Sequence, residues 1–223
     1  MLMLGIDDSG RGPLMGPMVL AGCLINDETA KEFIRLGVKD SKMLTPKRRA
    51  MLAEKIKEMA ETFEIVMVFP DEIDARNGIG INLNSLEAIK MASIVNKINK
   101  DGFFNQVKVV VDCPSPNITK WTDYLKTKIN NLSNLEISCE HKADQNHVSV
   151  SAASILAKIT RDAEIEKIKE KIGVDFGSGY ASDQRTIKFL EDYFHKHQKD
   201  GIFRQTWGTW KDMAAKKEQQ NLL

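Results

Sequence analysis

The sequence predicts an α/β domain with a mixed central sheet flanked by helices. The chain opens on two apolar runs, "MLGID" and "PMVLAGCLI", which are joined by a Gly/Pro turn and predict a pair of strands. After them, short apolar strands alternate with segments of helical periodicity, an order that is typical of α/β folds. At 223 residues the chain is long enough for one large domain with a small appendage.

The remaining elements follow from local patterns. Thr45 and Pro46 have the N-cap and first-turn character that predicts a helix over 45–63. Further strands are predicted over 64–69, over 107–112 and from residue 135, and further helices over 83–99, 121–129, 148–173 and 184–197. We therefore expect a main domain over 1–195 and a small C-terminal helical lobe over 196–223.

Composition excludes several classes of protein. No apolar run is long enough to cross a bilayer, and the start "MLMLGIDD" lacks the pattern of a secretory signal, so we expect a cytoplasmic protein. The three cysteines are isolated, which argues against a disulfide framework and a CxxC zinc site. The net charge of +1 does not indicate a nucleic-acid partner, although basic residues concentrate in 39–49 and 196–211.

Acidic residues occur where the predicted strands end. Asp7 and Asp8 follow the first apolar run, Asp112 ends the strand at 107–112, and Asp144 precedes the long helix. If the first and fourth strands are neighbours, these carboxylates converge at the edge where α/β sheets bind ligands. Oxygen donors without a Cys or His pattern suit magnesium or manganese, and a pair of such ions is the usual device for phosphodiester hydrolysis. Each acid taken singly is explained equally well as a cap or a turn residue, whereas the set favours a metal site.

Six motifs occur in an order that is typical of one family. They are "GIDDSGRGPLMGPMVLAG", "GVKDSKMLTPKRR", "VVVDCPS", "EHKAD" followed by "VSAASILAKITRD", "GSGYASD" and "FRQTW". Together they resemble ribonuclease HII, the type 2 ribonuclease H family, and its archaeal members most closely. The resemblance covers nearly the whole chain and implies a ribonuclease H-like fold, with the lobe at 196–223 contributing to duplex binding.

The resemblance also implies an activity. The expected enzyme is an endonuclease that hydrolyses the RNA strand of RNA/DNA hybrids and cuts at ribonucleotides embedded in duplex DNA, leaving 5′-phosphate and 3′-hydroxyl ends. Two divalent ions per site, magnesium or manganese, are the implied cofactors. Carried over by position, the catalytic and metal-binding acids are Asp7, Asp8, Asp112 and Asp144. The implied partners are the hybrid and ribonucleotide-containing DNA, and we expect a monomer.

The resemblance places the substrate contacts in loops and in the first turns of a helix. Gly10, Arg11 and Gly12 are expected to recognise the 2′-hydroxyl, because only this group separates RNA from DNA and glycines permit close approach. Tyr180 is expected to pack against the sugar of the adjoining nucleotide, although the residues alone favour a packing role for it. The expected contacts to the nucleic-acid backbone are Lys42, Lys142, Ser151, Ser154, Lys158 and Arg204.

One position departs from the family pattern. The family usually has Asp followed by Glu where this chain has Asp7 followed by Asp8, and Ser9 stands where Ala is common. Aspartate is shorter than glutamate by one methylene, or about 1.5 Å of reach. The charge is kept, so we expect an active enzyme with an altered metal preference or rate.

Other functions are compatible with some of the residues. An actin-like sugar kinase or ATPase has a similar first strand, but it needs a second similar domain and a glycine-rich adenosine loop. A hybrid-binding module that lost catalysis through the change at Asp8 is the non-enzymatic alternative. His141 and His147 flank Asp144 and allow a mixed His/Asp site, although the resemblance needs no histidine. The terminal "EQQNLL" has the character of a docking peptide for a sliding clamp but lacks the usual aromatic pair, so we expect disorder there.

Overall fold

A computed structural model describes residues 1–100 and 104–220. The strands are β1 (Leu2–Ser9), β2 (Met18–Asn26), β3 (Thr62–Val68), β4 (Val107–Asp112) and β5 (Leu135–Glu140). The α-helices are α1 (Asp27–Arg35), α2 (Pro46–Met59), α3 (Pro70–Ala75), α4 (Leu83–Ile98), α5 (Ile118–Lys126), α6 (Ala143–Asn146), α7 (Val148–Ile172), α8 (Gln184–His197) and α9 (Gly208–Gln220). Short 3₁₀ helices cover Ser41–Met43 and Arg76–Ile79. No helix in these ranges has both the length and the apolar character needed to span a bilayer.

The strands form a mixed sheet in the order β3-β2-β1-β4-β5. β1 and β2 are an antiparallel pair, whereas β1 and β4, and β4 and β5, are parallel. This arrangement confirms the predicted fold class, and the pairing of β1 with β4 meets the condition under which the carboxylates were expected to converge. The carboxyl ends of β1, β4 and β5 therefore lie at one edge of the sheet.

All five predicted helices are present, but the patterns do not predict α1. The Asn26 side chain caps this helix by accepting a hydrogen bond from the Thr29 backbone N–H at 2.8 Å. Its inward face consists only of Thr29, Ala30 and Phe33, all buried. A nine-residue helix with so few apolar positions gives too short a periodic signal to detect.

The chain divides into two compact units. The first comprises Met1–Ser9, Val19–Val66 and Ile81–Thr160. One of its core clusters joins residues of β2, α1 and α2 to the first half of α7, including Phe33, Leu52 and Ile155.

The second unit comprises Gly10–Met18, Met67–Gly80 and the chain from Arg161 onward. Its core contains Leu14, Phe176, Phe189 and Trp210. The C-terminal residues up to 220 thus belong to a larger unit, and the duplex-binding role expected for 196–223 stays a prediction. Within the tail expected to be disordered, residues 218–220 end α9, and residues 221–223 lie outside the described residues.

Gly5 lets β1 pack directly against the start of α7. A Cβ atom at this position would lie 2.1 Å from the backbone carbon of Ser149 and 2.2 Å from the nitrogen of Val150. Any side chain would therefore push the helix off the strand. The close packing brings the first turn of α7 to the strand that carries Asp7, two residues further along.

Candidate active site

Three of the predicted acids end the central strands of the first unit. Asp7 and Asp8 lie near the carboxyl end of β1, and Asp112 is the last residue of β4. Ile6 is opposite Val111 in the parallel pairing, so Asp7 and Asp112 follow this pair at the same edge. The Asp8 backbone N–H donates a 2.7 Å hydrogen bond to Oδ1 of Asp7, which helps to fix that carboxylate.

The fourth acid reaches this edge through a sharp turn after β5. Lys142 has a left-handed backbone (φ 57°), which is uncommon for a non-glycine residue, and it leads directly into α6. The next residue, Ala143, donates its N–H to Oδ1 of Asp112 at 2.8 Å. Asp144 follows and is only 5% exposed. The turn therefore ties the helix of the fourth acid to the side chain of the third.

The acids interact electrostatically with one another. Burial raises the pKa of Asp7 well above its ordinary value, and the neighbouring charges of Asp8 and Asp112 raise it further. Burial is also the main cause of the raised pKa of Asp112 and of Asp144, and the Asp112 charge adds to the rise at Asp144. Carboxylates that raise one another's pKa in this way form an anionic cluster that favours a bound cation.

Two residues of the "KDSK" segment, Asp40 and Lys42, interact with this cluster of acids. Lys42, a predicted backbone contact, is exposed; partial burial lowers its pKa, but the charges of Asp40, Asp144, Asp7 and Asp112 outweigh this effect and raise it. Asp40, which sequence reasoning missed, is buried and accepts the Lys42 backbone N–H at 2.9 Å. Its side chain also hydrogen-bonds that of Asp144. The sequence signal that could have found Asp40 is its position two residues before Lys42, which was itself predicted to contact the substrate.

The positions of Ser151 and Ser154 do not fit the nucleic-acid contacts predicted for them. Both were expected to contact nucleic acid, but both are buried and their hydroxyls bind the protein. The Ser151 hydroxyl donates to the Asp144 carbonyl at 2.6 Å. Ser154 hydrogen-bonds the Asp7 side chain and lies 2.9 Å, oxygen to oxygen, from Ser41. These hydroxyls position two of the acids instead of facing a ligand.

The remaining predicted contacts and the two histidines beside Asp144 fall into two groups. Lys142 is exposed and Lys158 is half-buried, so both stay predicted backbone contacts. His141 places Nδ1 3.0 Å from the Cys113 carbonyl oxygen, and His147 places Nε2 3.0 Å from Oε2 of Glu140. Each histidine thus has a partner of its own within the protein.

The donor set fits divalent cations in chemistry and charge. It consists of carboxylate oxygens whose pKa values are raised mainly by burial and, at Asp7 and Asp144, also by neighbouring carboxylate charges; hard oxygen donors are what magnesium and manganese prefer. Over residues 1–100 and 104–220, however, no three His, Cys, Asp or Glu side chains come close enough to enclose an ion as they stand. The pairwise charge effects therefore define the neighbourhood of the site.

Asp7→Asn is expected to stabilise the metal-free protein. Because the folded carboxyl has a raised pKa, its stabilising contribution is full below the unfolded pKa of about 3.9 and is lost as pH rises through the folded value. Asparagine removes this unfavourable charge at neutral pH and can still accept the Asp8 N–H. We expect Tm in EDTA to rise by a few degrees at pH 7, since ~1 kcal/mol shifts Tm by roughly 2–4 °C at this size.

Thermal melting from pH 3 to pH 8 checks this prediction. The gap between variant and wild type should widen as pH rises, whereas Asp123→Asn, at an exposed site on α5, should show no such gap. A lower Tm for Asp7→Asn at pH 7 would contradict the assignment of charge repulsion at Asp7.

In the second unit, Arg204 binds the backbone of the glycine-flanked loop at residues 10–16. Its guanidinium donates to the carbonyls of Gly10 at 2.6 Å, Arg11 at 2.7 Å and Gly16 at 3.0 Å. Arg204 is 0% exposed, so the phosphate contact predicted for it does not fit this position. Trp207 adds a hydrogen bond from Nε1 to the Gly12 carbonyl at 3.1 Å. The loop is therefore fixed through its carbonyl groups.

Arg161 also contacts this loop, and sequence reasoning missed it. Gly10 has a positive φ of 85°, and a Cβ there would lie 2.3 Å from both Cδ and Nε of Arg161. The Arg161 Cζ lies 5.3 Å from the centroid of the Tyr180 ring. A Cβ on Gly12 would in turn lie 3.9 Å from Cε1 of that ring. Thus the predicted loop and the predicted aromatic lie together in this unit, with Arg161 between Gly10 and the ring.

The mixed sheet, flanked by helices and carrying acids at the carboxyl ends of its central strands, has the ribonuclease H fold. The family model for ribonuclease HII matches residues 4–210. The chain belongs to the ribonuclease HII family and is therefore a ribonuclease H, an endonuclease acting on RNA/DNA, in a family that depends on divalent metals.

Relatives and solved structures agree with this assignment. Ribonuclease HII of Pyrococcus furiosus is 40% identical over 98% of this chain and 95% of its own length. The crystal structure of ribonuclease H2 from Pyrococcus horikoshii is similar with a TM-score of 0.84, at 36% identity, over 97% of this chain and 98% of that one. A PCNA:RNase HII complex from Archaeoglobus fulgidus matches with a TM-score of 0.80, at 35% identity, over 93% and 95% of the two chains.

Proposed function

We propose that this enzyme hydrolyses the RNA strand of RNA/DNA hybrids and also cuts at ribonucleotides embedded in duplex DNA. The observation that carries the proposal is the cluster of Asp7, Asp8, Asp112 and Asp144, whose charges act on one another at the edge of the sheet. When bound there, two divalent ions, magnesium or manganese, would supply water activation and neutralisation of the leaving oxygen. The products carry 5′-phosphate and 3′-hydroxyl ends.

The protein residues have separate tasks in this reaction. The four acids hold the cations, and Ser154 and Ser151 keep Asp7 and Asp144 in place through their hydroxyls. Lys42, with its raised pKa, stays a cation and binds the negatively charged backbone beside the acids. Lys142 and Lys158 add backbone contacts.

Recognition of the ribonucleotide is proposed for the second unit. Gly10, Arg11 and Gly12 contact the 2′-hydroxyl and its phosphate, and Tyr180, with 38% of its surface exposed, packs on the neighbouring sugar. Support comes from the way the loop is held: its carbonyls bind Arg204, so its N–H groups are directed away from that side chain. A loop fixed in this way loses little entropy when it binds.

Cleavage-site mapping tests the proposal. Three duplexes of one sequence are compared, with a single ribonucleotide, with a continuous RNA strand and with DNA alone, in magnesium, in manganese and in EDTA. We expect incision at the ribonucleotide and along the hybrid, none of the DNA duplex, and none in EDTA. Cyclic phosphate or 3′-phosphate ends would contradict it, because they arise from attack by the 2′-hydroxyl instead of water.

Asp8→Glu tests the departure from the family pattern. The longer acid changes the distance at which its oxygens reach a cation by about 1.5 Å. We therefore expect the ratio of cleavage rates in magnesium and manganese to change several-fold relative to wild type, with activity kept in both. Asp123→Glu, which lengthens an exposed acid elsewhere, serves as the control. Equal rates for Asp8→Glu and wild type in every metal would show that the shorter acid has no consequence.

We further propose that the enzyme acts in the cytoplasm as a monomer. The complex solved for the relative from Archaeoglobus fulgidus supports a sliding clamp as an additional partner. Size-exclusion chromatography with light scattering, with and without a clamp protein, tests the monomer first and the clamp contact second. A dimer of the enzyme alone would contradict the first, and separate elution of the two proteins would contradict the second.

A further inference from the structure

Arg161 has an unusual environment for a cation. It lies in α7, is 2% exposed, and its burial lowers its pKa, although a guanidinium keeps its charge. Its Nη2 donates to the Ser178 carbonyl at 3.2 Å. Among the described residues, nothing accepts a hydrogen bond from its buried Nε. Burying a cation with incomplete hydrogen bonding is costly, so its position needs an explanation beyond packing.

Three contacts of Arg161 involve the loop and the ring proposed to recognise the ribonucleotide. Its Cδ and Nε occupy the space next to Gly10 that any side chain there would need. Its guanidinium covers the Tyr180 ring at 5.3 Å, within the range of a cation–π contact. Ser178, which it binds, lies two residues before Tyr180 in the same loop. One side chain therefore sets both the position of the loop glycine and that of the ring.

We propose that Arg161 is a positioning residue that determines selectivity for a ribonucleotide by holding the Tyr180 ring at a fixed spacing from Gly10 and Gly12. This inference rests on the proposed recognition role of that ring and loop. The guanidinium lies over the ring, and the 38% of Tyr180 that is exposed is available to the sugar. Lysine cannot replace it, because an ammonium group has neither the plane nor the fork that binds the ring and the Ser178 carbonyl together.

Binding selectivity provides the test. The protein carries Asp112→Asn so that duplexes are not cut, and fluorescence anisotropy measures affinity for two duplexes of one sequence, one with a single ribonucleotide and one of DNA alone. We expect Arg161→Lys to lower the ratio of the two affinities about tenfold, as expected for a desolvated cation–π contact. Affinity for the DNA duplex should stay unchanged, because contacts to the backbone supply it.

A double-mutant cycle shows whether Arg161 changes the affinity ratio through Tyr180. If Arg161 acts through Tyr180, Tyr180→Ala lowers the ratio by a similar factor, and adding Arg161→Lys lowers it no further. Arg185→Lys is the matched control, because Arg185 is an exposed arginine of the same unit that pairs with Asp175 and Asp183. It should leave the ratio unchanged. Arg161→Gln, which keeps a planar group and an N–H donor, is the second variant if Arg161→Lys does not fold.

The possible outcomes separate this inference from the proposed function. Equal loss of affinity for both duplexes, or additive effects in the double variant, would overturn the positioning role of Arg161 alone. An unchanged ratio in Tyr180→Ala, or no selectivity in the parent protein, would overturn the recognition role of the ring and the inference with it. A selective, non-additive loss supports both.

Discussion

Asp112→Asn is expected to abolish cleavage. Asp112 lies between Asp7 and Asp144 in the network of charge effects, and it also accepts the Ala143 N–H at 2.8 Å. Asparagine keeps an acceptor oxygen for that hydrogen bond but removes the charge that holds a cation. The loss of several kcal/mol of transition-state stabilisation lowers the cleavage rate by a factor of about 10³ at least.

Single-turnover cleavage of a labelled hybrid measures this effect, and thermal melting shows that the fold is kept. Asp123→Asn removes an exposed acid and should cleave at the wild-type rate. Wild type that binds the hybrid but never cuts it would favour the binding-module alternative. Metal-dependent hydrolysis of ATP without cleavage of the hybrid would favour the kinase alternative. Substantial cleavage by Asp112→Asn would contradict the acid assignment itself.

Arg204→Met is expected to produce the largest loss of stability. Methionine is about the right length for the apolar part of the side chain, but it leaves the carbonyls of Gly10, Arg11 and Gly16 without these donors in a buried place. Each buried acceptor without a partner costs ~1–3 kcal/mol, so Tm should fall by roughly 10 °C.

Thermal melting and urea unfolding of Arg204→Met test this expectation. The matched control is Arg35→Met, at an exposed arginine of α1 that pairs with Glu32, and its Tm should stay close to that of wild type. Cleavage at a single ribonucleotide should also decrease in Arg204→Met below the melting temperature, because the loop loses the contacts that fix it. A Tm equal to that of wild type would show that the observed hydrogen bonds contribute little to folding.

Local patterns predict the elements that carry strong periodic or capping signals. The Thr45–Pro46 pair correctly predicts the start of α2, and the apolar run before Asp112 correctly predicts β4. The position of acids after apolar strands is a local signal as well, since chain direction alone decides which end of a strand they occupy. By contrast, α1 has too few apolar positions to be detected, and its formation depends on the core against which Ala30 and Phe33 pack.

Sequence motifs are less informative about which polar groups face the substrate. Ser151, Ser154 and Arg204 lie in family motifs and have the chemistry to bind phosphate, yet all three are buried and bind the protein. Asp40 and Arg161 were missed for the opposite reason, because an acid beside a lysine and an arginine in a charged helix look like ordinary solvated residues. In each case the signal that decides the role is burial.

The sequence by itself determined the family, the fold class and the placement of Asp7, Asp8, Asp112 and Asp144 at element ends, because these depend on residue type and spacing along the chain. Only the tertiary structure decided that β1 and β4 are adjacent, so that the acids raise one another's pKa. It also decided that Arg204 and Arg161 face the inside of the protein. The physical reason is that the free energy of a charged group depends on its surroundings, and these are assembled from segments far apart in sequence.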